Sequence, residues 1–89
     1  MTLLDMGQLE NVQLRDGKQQ AKRLVTLRCG REVILCEAWG DLARSLTTEN
    51  WQMGAAYVAR LSFSLHDYTN TQGVQCKIQD IRLLDLCQL

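Results

Sequence analysis

Residues Arg31 to Leu46 read REVILCEAWGDLARSL, a β-rich run that stops at Trp39-Gly40 and passes directly into a short helical pattern. Val33 to Trp39 supplies β-branched and apolar residues, Gly40 breaks the strand, and Asp41 stands where an N-cap would. Leu42, Ala43 and Leu46 then share one helical face, predicting a helix from Asp41 to about Glu49. Two strands are expected before this stretch and two after it. The expectation is an all-β chain: a five-stranded β-barrel with one short helix between its third and fourth strands.

Outward from that centre, alternation assigns the faces. On the third strand Ile34, Cys36 and Ala38 form the smaller set and are expected inside, which leaves Val33, Leu35, Glu37 and Trp39 outside. The second strand, Ala21 to Cys29, places Val25, Leu27 and Cys29 on one face and Leu24, Thr26 and Arg28 on the other. Cys29-Gly30 turns between them. The first strand is expected from Thr2 to Leu14, with Gly7 either bending one continuous strand or breaking it into a hairpin. Asp16-Gly17 is a turn signal.

After the helix, Trp51 is expected to plug the bottom of the barrel beside Leu42 and Leu46, since a large indole is more often packed than displayed. The fourth strand, Ala56 to Leu65, puts Tyr57, Ala59, Leu61, Phe63 and Leu65 on one face. Asp67 to Gly73 is a polar loop. The fifth strand starts at Val74 with Cys76 and Ile78 inward, and its phase slips near Gln79 and Asp80, where Ile81 and Leu83 resume the apolar set. Leu84, Leu86 and Leu89 complete an apolar end.

The 89 residues suit one domain, 1–89, with a single modest core. Ten basic residues balance ten acidic ones, so net charge supplies no drive toward a polyanion. The distribution is uneven, however: Arg15, Lys18, Lys22, Arg23, Arg28 and Arg31 stand against Asp16 alone. Such a block is either a solvated face or the footprint of nucleic acid. Cys29, Cys36, Cys76 and Cys87 contain no CxxC spacing and His66 is the single histidine, so no metal site or cofactor is expected. The first three read as small buried hydrophobes, and reduced thiols fit a cytoplasmic setting, although an even count leaves disulfides open. Asp5 interrupts Leu3, Leu4 and Met6, so no signal peptide is expected, and no apolar run suits a membrane. One histidine and no Gly-rich phosphate loop give catalysis no footing, and no enzyme is expected.

The stretch EVILCEAWGDLARSL, followed by WQMGAAYVARLSFSLHDYTNTQGVQCKIQDIRLLDL, resembles the oligonucleotide/oligosaccharide-binding (OB) domain of single-stranded DNA-binding proteins, of the bacterial and replication protein A types. Trp39-Gly40-Asp41-Leu42-Ala43 and Gly54 stand where the bacterial family has its aromatic-glycine pair, the start of its helix and the glycine before its fourth strand. The resemblance covers about Val33 to Leu86. It implies sequence-tolerant binding of single-stranded DNA, or RNA, with Trp39 stacking on a base. Arg28 and Thr26 on the second strand, with Lys18, Lys22 and Arg23 at the first hairpin, would track phosphates, and Tyr68 beside the last loop would flank the groove. It also implies a homo-oligomer, dimer or tetramer. Two features depart from the pattern: Glu37 shares the face with Trp39 and would repel a phosphate, and only two Trp, two Tyr and one Phe are present. The competing expectation is an OB module that serves protein contact in a replication, DNA-transfer or secretion assembly, favoured by zero net charge and the leucine-rich end.

Overall fold

The computed structural model describes residues 1–47 and 49–88, with the side chains of His66 and Ile78 outside the description. The expectations for Ile78 and Leu89 therefore lie outside the described residues. The chain is β-rich with one short helix: β1 Thr2–Met6, β2 Glu10–Gln13, β3 Gln19–Cys29, β4 Glu32–Trp39, α1 Gly40–Ser45, β5 Tyr57–Thr69 and β6 Gln75–Gln88. The strands form one six-stranded sheet in the order β1-β3-β4-β6-β5, with β2 also on β3.

Alternation on β3 and β4 does what the sequence leads one to expect. Ala21, Val25 and Leu27 from β3 and Cys36 and Ala38 from β4 are buried together with Leu3, Ala43, Leu46, Tyr57, Leu83 and Leu86. The antiparallel register sets Lys22 opposite Trp39, Leu24 opposite Glu37, Thr26 opposite Leu35 and Arg28 opposite Val33, all on the outward face. Cys29 is the exception. It is exposed rather than buried, because the strand has run past the core by the time it turns at Gly30.

The expected first strand is two. Residues 7–9 separate β1 from β2, both of which pair with β3. Gly7 marks the break, where its N–H donates to the Leu24 carbonyl at 2.8 Å. A Cβ there would come within 3.4 Å of that same carbonyl oxygen, so glycine suits this close approach of two backbones.

The helix is shorter than its pattern suggested. Trp39, still extended, is the N-cap residue and makes no side-chain cap bond; Asp41 lies inside the first turn and accepts from Arg44 Nη1 at 2.9 Å. Gly40, at φ +64°, makes the sharp strand-to-helix turn that an L side chain resists. With so few turns, packing rather than propensity holds α1. Ala43 and Leu46 are buried, while Trp51 lies edge-to-face on Tyr57 at 5.1 Å between centroids and donates to the Ser45 carbonyl at 3.0 Å.

The closed barrel is corrected. β4 meets β6 at a single parallel pair, Glu37 with Arg82, and β1 meets the segment before β5 at a single bridge, Thr2 with Ala56. Between these seams β5 and β6 form a long antiparallel ribbon that extends beyond the core. Tyr57 is therefore buried, whereas Phe63 and Leu65, in phase with it, are 57% and 67% exposed. The expected loop from Asp67 shrinks to a tight turn in which Asn70 Oδ1 accepts from the N–H groups of Gln72 and Val74. The phase slip also moves. Arg60 pairs with Asp85 and Leu61 with Leu83, so the extra residue is Leu84 and not one near Asp80. Cys76 consequently falls in phase with Arg82 and is only half-buried.

All four cysteines are free. Cys36 donates its thiol to the Val25 carbonyl at 3.4 Å, and burial, with Glu37 adding to it, pushes that thiol from 9.0 up to about 11. A raised folded-state value means that the unfolded chain loses the proton first. Stability is therefore expected to be insensitive to this group below pH 9 and to fall between pH 9 and about 11, read as the urea midpoint; Cys36→Ala should flatten that decline.

Candidate nucleic-acid interface

The outward face of β3 and β4 gathers around one indole. Trp39 ends β4 half-buried, with Lys22 Nζ 5.5 Å and Arg82 Cζ 5.4 Å from its ring centroid. Each distance is within cation–π reach. The ring is fixed in its plane as well, since Nε1–H donates to Glu37 Oε2 at 3.1 Å. Glu37 Oε1 lies 3.6 Å from Lys22 Nζ, so the carboxylate that seemed a liability is offset by a neighbouring ammonium. Both partners keep only about a quarter to a third of their side-chain surface exposed, 24% and 30%. The pair aligns Trp39 more than it adds stability.

Arg82 is the member that sequence reading missed. The parallel pair with Glu37 brings it beside Trp39, a contact between strands that follow each other only after β5. A cavity of about 240 Å³ adjoins it, lined by Glu37, Ser62, Ser64, Asp80, Ile81 and Arg82.

The remaining candidates divide. Thr26 and Arg28 continue outward along β3 from Lys22, with Arg28 exposed and about 20 Å from Lys22 at about 3.3 Å per residue. Tyr68 is exposed near the far end of the ribbon, in register on the same face as Arg82 through the Ser62–Arg82 and Tyr68–Cys76 pairs. Lys18 lies in the turn between β2 and β3, where its backbone N–H is held by Asp16 Oδ1 at 3.0 Å, away from Trp39. Arg23 belongs elsewhere. In phase with Ala21 and Val25, it turns toward the core side and donates from Nη1 to the Gly7 carbonyl at 2.7 Å and from Nε to the Ala43 carbonyl at 3.0 Å. These two bonds clamp the β1–β2 break to the helix.

The chain was compared with protein-family models, curated proteins and solved structures. None matches. The reading of this face consequently rests on its own geometry. No helix among the described residues is long and apolar enough to cross a membrane, and no cluster of three or more His, Cys, Asp or Glu is placed to hold a metal among them.

Proposed function

We propose that this chain binds single-stranded nucleic acid, most simply DNA, along the outward face of β3, β4 and β6. The carrying observation is the outward indole of Trp39, edge-locked by Glu37 and flanked by Lys22 and Arg82. A base arriving on the ring displaces one cation from the π-face, and that cation then meets the phosphate of the same nucleotide. One weak contact is exchanged for a stacked ring and a charge pair. Arg28 and the half-buried Thr26 on β3 extend the track away from the indole.

An OB-type arrangement is the fold reading that accompanies this. Its support is the strand order, in which the chain leaves β4 through the helix, crosses to β5, and returns so that β6 inserts between them, with the β1–β5 seam nearly closing the sheet. One observation favours the second reading, a protein-contact module: Leu24, Val33 and Leu35 are exposed on the same face.

Oligo(dT) titration followed by tryptophan fluorescence separates the two. Three engaged cations, Lys22, Arg28 and Arg82, predict a slope of log affinity on log salt of about −2, at about −0.7 per phosphate. Arg82→Gln should reduce the slope by about 0.7 while leaving the fold intact. Binding that ignores salt, or no quenching at micromolar protein, overturns the nucleic-acid reading.

A further inference from the structure

We propose that the cavity beside Trp39 is a guanine-selective subsite, so that a strand laid on the indole is read at one base as well as held. This selectivity rests on the nucleic-acid reading above and adds a sequence preference to it.

The sheet supplies the position. β4 and β6 pair only at Glu37 with Arg82, and on the Asp80 side of that pair a cavity of about 240 Å³ opens, room for a single flat base. The Ser62–Arg82 and Ser64–Asp80 pairs set those four side chains on one face of the ribbon. Glu37 lines the same cavity, and Trp39 stands two residues further on, about 7 Å along β4. Arg82 both lines the cavity and stands over the indole. The nucleotide next to the one stacked on Trp39 therefore reaches it.

Charge decides which part of that nucleotide enters. The lining holds two carboxylates, Glu37 and Asp80, against one guanidinium, and that guanidinium is drawn to the indole. A phosphate is repelled at such a place, whereas a neutral base with N–H groups on its edge meets acceptors. Glu37 is committed already, with Oε1 facing Lys22 and Oε2 accepting from Trp39 Nε1. Asp80 is the reader. A carboxylate has about four lone-pair sites, so Asp80 takes an incoming pair of N–H groups alongside the interaction it has within the fold.

Among the four bases only guanine offers that pair. Its N1–H and an N2 amine hydrogen lie side by side and match the two oxygens of a carboxylate, with O6 next in line for a hydroxyl donor. Ser62, exposed and diagonal to Asp80 across the ladder, supplies the hydroxyl. Adenine and cytosine set one amine beside a ring acceptor, and thymine flanks its one N–H with carbonyls. Each turns a lone pair toward Asp80, the kind of mismatch that a hydrogen-bonding site rejects.

Anisotropy of labelled oligo(dT), with and without one central dG, tests the subsite at fixed salt. The dG strand should bind about 5- to 150-fold more tightly. Deoxyinosine in its place, which lacks only the N2 amine, should forfeit most of that gain; 7-deazaguanine, altered only at N7, should keep it. In Asp80→Asn the dG and dT strands should bind alike, because an amide presents a donor where guanine needs a second acceptor. The base substitutions are made in the ligand and use the wild-type chain, so they decide the matter even if the variant fails to fold. Equal wild-type affinity for the dG and dT strands overturns the subsite and leaves the nucleic-acid reading standing; so does a preference that survives deoxyinosine or Asp80→Asn. Failure to bind any strand overturns both.

Discussion

Trp39→Ala is expected to weaken oligo(dT) binding by about 5- to 150-fold, the equivalent of about 1 to 3 kcal/mol for one stacked base. The fold should survive it. The ring is on the outward face, half-buried by Lys22 and Arg82 rather than by the core, and its removal leaves Glu37 still paired to Lys22. Trp39→Phe keeps a π-face and loses the bond to Glu37, so it should recover most of the affinity. Filter binding or anisotropy of a labelled oligonucleotide checks both, with thermal melts confirming that all three proteins are folded. Equal affinity for the wild type and Trp39→Ala would move the ligand off this face.

Arg23→Met should do the opposite. It removes a charge from the basic block, but its consequence is for stability: the Gly7 and Ala43 carbonyls lose their charged donor, at about 2 to 4 kcal/mol. In a chain of this length that corresponds to a drop of roughly 10 to 25 °C in melting temperature. Below the lowered transition, salt-dependent DNA affinity should match that of the wild type. Methionine preserves the aliphatic stem, so the loss reports the guanidinium bonds and not a cavity. A variant that melts normally but binds weakly would return Arg23 to the phosphate track.

These two residues mark how far the sequence is readable. The outward setting of Trp39 follows from period-two alternation against Cys36 and Ala38, a local signal, and the Gly40 junction and the break at Gly7 are local too. Arg23 was equally in phase with Ala21, Val25 and Leu27, but the family resemblance set it at the first hairpin among the phosphate-tracking cations. What overrode that placement is a pair of backbone carbonyls 16 and 20 residues away in sequence. Arg82 was hidden for a related reason, since its neighbour Trp39 is reached only through the β4–β6 parallel pair. The extent of the β5–β6 ribbon was illegible because alternation continues through Phe63 and Leu65 whether or not a core lies beneath them. The helix end was misjudged by propensity, where Leu46 leaves helical geometry directly after Ser45.

The seam between the chain's first residues and the segment before β5 has a dynamic consequence. It consists of a few main-chain bonds, Leu3 to Ala55, Gly54 to Leu3 and the reciprocal pair between Met1 and Tyr57, with little ladder on either side. Sub-global opening should begin there, so amide protons of Leu3, Gly54 and Tyr57 should exchange with deuterium well before those of the β3–β4 hairpin. The molecule would then breathe like a hinged cuff, parting at its narrowest stitching while the hairpin that carries the indole stays shut.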